Sequence, residues 1–147
     1  MRVKTVMKLF ALATVLFFTI QTKAQNPENW TSKQLMEPAE LANEISANED
    51  LPVIICVGPS AIIPHSVATG MASKPEGLDK LKEELNTLPK DKKIVIYCGC
   101  CPFEHCPNVR PAINALKEMK FTNYYLLDLP DNIRKDWIDK DYPVEKS

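Results

Sequence analysis

The chain has no surplus of basic charge. Its 147 residues hold 18 Lys and Arg against 19 Asp and Glu. No lysine-rich stripe is present, which excludes the electrostatic footprint of a nucleic-acid binder. There is also no apolar run of comfortable membrane-spanning length. The stretch Leu9 to Ile20 has 12 residues, whereas a span needs about 20. No cysteine follows that stretch closely, the first being Cys56, which argues against a lipid-anchored lipoprotein. Internal repeats and low-complexity segments are absent, and nothing implies an organic cofactor.

What is present begins with an ordered leader. Arg2, Lys4 and Lys8 precede the apolar stretch, and Thr22-Lys23-Ala24 ends on a small residue. This order predicts a signal peptide over residues 1–24, with an uncleaved anchor as the alternative. Cleavage after Ala24 gives a periplasmic or secreted protein with no stable membrane insertion. It leaves 123 of the 147 residues, enough for one domain with a real core. It also removes four of the 18 cations, so 14 face 19 acidic residues and the formal charge becomes −5.

The remainder alternates between two periodicities. Glu37 to Ile45 reads as a helix, with Pro38 in its first turn and Leu41 and Ile45 one turn apart. Leu51 to Val57 is an unbroken apolar run, as in strands buried on both faces, and Gly58-Pro59 ends it. Ala61 to Pro64 reads as a short edge strand. Ser73-Lys74-Pro75-Glu76 has capping-box spacing, and Leu78, Leu81, Leu85 and Leu88 follow at helical spacing. Ile94 to Tyr97 is a second clear strand. Ile113, Leu116 and Met119 mark one face of a helix, Tyr124 to Leu127 a third strand, and Pro130-Asp131-Asn132 the start of a last helix carrying Ile133, Trp137 and Ile138. The pattern predicts an α/β protein, a three-layer α/β/α sandwich with a mainly parallel central sheet.

Four of the five cysteines crowd into nine residues: Cys98, Cys100, Cys101 and Cys106. The loop that carries them lies between a strand and a helix, where parallel sheets hold their chemistry. A sulfur at the strand end is surrounded by loop N–H groups and the positive end of a helix, and both favour the thiolate, the nucleophilic form. Asn108 suits the N-cap, and Arg110 is a candidate anion clamp. The expected donor-binding groups are therefore Gly99, Cys100, Asn108 and Arg110. Five is an odd number, so outside the cytoplasm at least one cysteine is free, metal-bound or paired with another molecule. A disulfide between the adjacent Cys100 and Cys101 would be strained. Cys56 reads as a small buried hydrophobe or, at another strand end, as a neighbour of the loop.

The segment Ile94 to Leu129 resembles the rhodanese-like domains: an apolar strand ending in Tyr97-Cys98, a loop, a helix from Ala112 to Met119, then Phe121 and a further strand. The resemblance extends more loosely over Trp30 to Val144. Pro52 to Val57 looks like the strand that carries an Asp-x-Arg signature in that family, with Cys56 and Gly58 at those two positions. His65 falls in a segment similar to Gly-His-Ile-x-Gly-Ala. The loop is about five residues longer than the family's usual one. The resemblance implies a sulfurtransferase fold and assigns the nucleophile to Cys98.

The expected activity is thus that of an exported sulfurtransferase or persulfide carrier working through the Cys98 thiolate. Cys106 is a candidate resolving thiol and Cys101 an alternative nucleophile. The partners are a small donor such as thiosulfate or a polysulfide and a thiol acceptor, which a protein can supply. The alternative is a soft-metal or thiol-redox module in which Cys98, Cys100, Cys101 and Cys106, with His105 as a fifth candidate, hold copper or zinc. Their spacing matches no standard zinc knuckle, and copper(I) tolerates such clusters better. A third reading is an inactive fold used for protein contact.

N-terminal sequencing of protein recovered from the cell envelope is expected to start near Gln25. Recovery of chains that all begin at Met1 would overturn cleaved export.

Overall fold

Three apolar runs form the centre of one sheet because each can be covered on both faces. The computed structural model describes residues 30–146, and the leader reading of residues 1–24 lies outside the described residues. The elements in chain order are β1 (Leu35–Met36), α1 (Pro38–Ala47), β2 (Val53–Cys56), β3 (Ser66–Ala68), α2 (Pro75–Asn86), β4 (Ile94–Tyr97), α3 (Val109–Glu118), β5 (Tyr124–Leu127) and α4 (Ile133–Asp136). Two short 3₁₀ turns lie at Phe103–His105 and Ile138–Lys140. The five strands are all parallel, in the order β1-β5-β4-β2-β3. The expected α/β/α sandwich is therefore present, with β4 in the middle. Among the described residues no helix is long and apolar enough to cross a membrane.

The period-2 pleat sorts the side chains of each strand into two cores. Ile55, Val57, Ile94, Ile96 and Leu126 pack with Leu81 and Leu85 of α2 and Ile113 and Leu116 of α3. Ile54, Cys56, Val95, Tyr97 and Leu127 pack with Leu41 and Ile45 of α1 and with Trp137. Burying one such aliphatic side chain contributes about 1.5–3 kcal/mol. Cys98 continues the first series and joins the α2–α3 core. Trp137 is fully buried, donates from Nε1 to the Pro143 carbonyl at 2.7 Å and meets Tyr142 edge-on at 5.2 Å between ring centroids.

Several local expectations change. The edge strand is Ser66–Ala68, not Ala61–Pro64, because the N–H groups of Ile62 and Ile63 donate to the Tyr97 hydroxyl at 3.0 and 3.2 Å instead of to a strand. The capping box at Ser73 does not form. The N-cap of α2 is Lys74, without a side-chain bond, and the Ser73 N–H is turned toward Asn108. The last helix is a single turn, capped by Asn132, whose side chain accepts from the N–H groups of Arg134 and Lys135. β1, with two residues, is too short to leave a periodic signal.

The Tyr97 hydroxyl also shares a hydrogen bond with Ser66 Oγ at 3.0 Å. Tyr97→Phe leaves two N–H groups without their acceptor, so it is expected to destabilise the fold by about 1–3 kcal/mol. Denaturant unfolding measures this, and an unchanged midpoint and slope would refute the pinning role.

Candidate active site

Cys98 follows β4 directly, at the carboxyl end of the central strand, and is 4% exposed. Its neighbour Gly99 has φ +82°, a conformation glycine adopts without penalty. The turn brings the next sulfur back: Cys98 Sγ and Cys100 Sγ lie 3.2 Å apart. A Cβ on Gly99 would also sit 2.9 Å from Ile133 Cβ, and the Gly99 carbonyl accepts from the Ile133 N–H at 2.9 Å. The loop thus docks on the start of α4.

Asn108 is the second fixed point. It is 2% exposed and stands at the N-cap of α3, but its side chain makes no cap hydrogen bond. Its Nδ2 donates to Cys98 Sγ at 3.3 Å, and its Oδ1 accepts from the Ser73 N–H at 3.0 Å. The expected cap residue is therefore a bridge between the reactive sulfur and the segment before α2.

The sulfurs then differ sharply in acidity. The Cys98 thiol is lowered to about 5, foremost by the Cys106 thiol facing it. Burial opposes this, while the Cys100 N–H, the Asn108 amide and the Cys100 thiol add to it. Cys98 is thus a thiolate at neutral pH. The same contact with Cys98, with burial behind it, pushes Cys106 far up. Cys100 is raised to about 12, first by burial and then by its proximity to Cys98. One thiolate is served by protonated neighbours.

Gly58, read from the sequence only as the end of an apolar run and a departure from the family signature, makes room for this sulfur. A Cβ there would lie 2.4 Å from the Cys98 carbonyl oxygen and 2.8 Å from Cys98 Sγ. A cleft of about 210 Å³ opens beside Cys98. It is lined by Pro59, Ser60, Ile62 and Ile133 together with Cys98, Gly99 and Cys100. Ser60, Ile62 and Ile133 belong to loops and a helix start remote in sequence, and only the folded sheet brings them together.

Of the candidate residues, Cys98, Gly99, Cys100, Cys106 and Asn108 converge. Cys101 is half-buried, its Sγ lies 3.2 Å from Cys100 Sγ, and its thiol also faces Cys106. Arg110 does not reach the sulfur. Its guanidinium donates to the Glu104 carbonyl at 3.3 Å and stacks over Trp30 at 5.7 Å. Cys56 lies in the core on the opposite face of the sheet and donates to the Ser60 carbonyl at 3.2 Å, with its thiol raised by burial. His65 precedes β3, at the amino edge of the sheet, opposite to Cys98. Glu104 and His105 are exposed on a 3₁₀ turn.

All five cysteines are free thiols. The Sγ atoms of Cys98, Cys100 and Cys106 lie within 4.8 Å of one another, so the four-cysteine metal set expected from the sequence narrows to three, without Cys101 or His105. Three soft thiols suit copper(I) better than a structural zinc site, which takes four ligands.

A comparison with known protein families finds no family model that matches the chain, and a search of curated proteins finds no match.

Alkylation of Cys98 by iodoacetamide, followed by peptide mass spectrometry, is expected to reach half its maximal rate near pH 5, because the thiolate is the reacting form and its pKa is about 5. Asn108→Ala removes one charge-assisted donor and should move that midpoint upward by about one to two pH units. A midpoint near that of an ordinary cysteine in the native protein would remove the thiolate assignment.

Proposed function

We propose that the chain is a rhodanese-like sulfurtransferase or persulfide carrier, exported from the cytoplasm, with Cys98 as its nucleophile. One observation carries this reading: a buried cysteine at the carboxyl end of the central strand, held as a thiolate by Cys106, the Cys100 N–H and Asn108, and opening on a cleft. A depressed thiol that still faces a cleft is the arrangement of a reactive cysteine, whereas structural cysteines are inert.

The reaction is an exchange at sulfur. The Cys98 thiolate attacks the outer sulfur of a donor R–S–SH, a Cys98 S–S bond forms, and the donor S–S bond breaks. RS⁻ leaves with the electron pair, and Cys98 carries the persulfide. A thiolate acceptor then attacks the outer sulfur and returns Cys98 as thiolate. Gly99 shapes the loop, and the Cys100 N–H and Asn108 stabilise negative charge on Cys98 sulfur in both half-reactions. Cys106 keeps its proton and acts as a donor while Cys98 is anionic. Once Cys98 carries sulfur, that constraint relaxes and Cys106 becomes a candidate resolving thiol.

A second reading has its own observation, the three sulfurs within 4.8 Å of one another. In it Cys98, Cys100 and Cys106 hold copper(I) or zinc. The two readings separate in one set of measurements on wild type and variants, using persulfide trapping after incubation with a sulfane donor and native mass spectrometry. Cys98→Ser is expected to abolish persulfide formation, and Cys100→Ser and Cys101→Ser to reduce it. Cys106→Ser should leave the first transfer in place while weakening the thiolate. If Cys98→Ser accumulates persulfide like wild type, the nucleophile is another cysteine. If no protein takes up sulfur but wild type retains metal, the metal reading stands in its place.

A further inference from the structure

The walls of the cleft carry information about the donor, and the inference drawn from them rests on the sulfur-transfer reading. We propose that the cleft beside Cys98 takes small sulfane-sulfur donors with an apolar body, such as short alkyl hydropersulfides in their protonated R–S–SH form, and disfavours thiosulfate.

Among the described residues no Lys, Arg or His lines the cleft, and beside the sulfur loop its lining is Pro59, Ser60, Ile62 and Ile133. Arg110, the cation closest in sequence to the loop, is engaged with the Glu104 carbonyl and the Trp30 ring. Arg134 adjoins Ile133 but is 81% exposed and pairs with Asp139 at 3.9 Å. A second groove, which reaches the end of the same short helix α4, holds Glu37, Asp128 and Asp136 with Lys140. The carboxyl group of Asp128 is raised by burial and by the charges of Glu37, Asp136 and Glu104, so negative potential gathers at this edge of the sheet. A dianion entering the cleft would lose water beside the Cys98 thiolate with no cation to offset the cost.

The protonated form R–S–SH, the one whose outer sulfur a thiolate attacks, meets the opposite situation. Its alkyl body covers Pro59, Ile62 and Ile133, and its outer sulfur reaches Cys98 without like-charge repulsion. The size also fits. A cleft of about 210 Å³ matches the liquid volume of about seven waters, at roughly 30 Å³ each. That holds two sulfurs and a short alkyl chain. The transfer is R–S–SH plus Cys98 thiolate giving Cys98–S–SH plus RS⁻, so atoms and electrons balance and no oxidant is needed.

The test is the rate at which wild-type protein gains one sulfur on Cys98, read by intact mass spectrometry. The donors are methyl, ethyl, propyl and butyl hydropersulfides released from precursors, glutathione hydropersulfide, and thiosulfate. Each rate is divided by that of a small-molecule thiol, which removes intrinsic donor reactivity. The normalised rate is expected to rise about two- to fourfold per methylene until the cleft is full, with thiosulfate and glutathione hydropersulfide at the bottom. Ile62→Lys should raise the normalised thiosulfate rate about tenfold by supplying the missing cation, and Ile62→Gln should not. A series flat in chain length, or thiosulfate as fast as propyl hydropersulfide, overturns the donor class and leaves sulfur transfer standing. Sulfur uptake that is absent with every donor, or that is equal in Cys98→Ser, removes the underlying reading and the donor class with it.

Discussion

The site hangs on one buried amide. Asn108 holds Ser73 with its oxygen and Cys98 with its nitrogen, so the segment before α2, the end of β4 and the start of α3 meet at a single side chain. An anionic sulfur that is only 4% exposed has lost most of its water. It persists because fixed donors stand where water would, and those donors cost no reorganisation when charge moves off or onto the sulfur. Asn108 cannot swing away to serve the helix cap without releasing both partners. The absent cap hydrogen bond of α3 is the local stability given up to keep the amide on the sulfur.

The parity of one strand divides the remaining tasks. Ile94, Ile96 and Cys98 face α2 and α3, while Val95 and Tyr97 face α1 and Trp137. Adjacent residues therefore work on opposite sides of the sheet. Cys98 supplies the sulfur, and Tyr97 reaches through the other core to hold the N–H groups of Ile62 and Ile63. Ile62 is part of the cleft wall, so a single strand end positions both the nucleophile and the surface beside it. Cys56, paired with Tyr97 across β2 and β4, shares the parity of Tyr97 and is kept away from the thiolate for the same reason.

This division also explains what was legible in the sequence. The central strands and main helices announced themselves, because an apolar run or a leucine every third or fourth residue follows from where each side chain must go. The edges did not. Leu35 and Met36 are too few to show a period, and Ala61 to Pro64 looked like a strand until the Tyr97 hydroxyl claimed its N–H groups. Within the site, the residues adjacent to Cys98 could be named from the strand–loop–helix order. Arg110 and Asn108 could be named, but not aimed. Trp30 turns the guanidinium away, and Ser73, 35 positions distant, turns the amide inward. On the rhodanese-like resemblance, Gly58 falls at the position of an arginine. Its backbone lies so close to Cys98 that no side chain fits, a fact that only the packing of β2 on β4 reveals.

The ordering of the thiols bears on what happens to sulfur once it is captured. In thiol exchange a sulfur of low pKa leaves fastest, and the best attacking thiol has a pKa near the ambient pH. Cys98, at about 5, is the better leaving group, and Cys100, at about 12, the more basic partner 3.2 Å away. On the sulfur-transfer reading, an incoming thiolate that attacks the outer sulfur of a Cys98 persulfide displaces a leaving group already stabilised by Asn108, Cys106 and the Cys100 N–H. The donors that make Cys98 a thiolate at neutral pH therefore make it release sulfur readily, so the same three contacts favour both loading and delivery. A buried cysteine without them would hold its proton and fail at the first step. One whose Cys100 and Cys106 were equally acidic would place three negative charges within 4.8 Å and fail to stay folded around them. The single thiolate among protonated neighbours is the charge state the pocket can hold, and it is also the one a carrier requires.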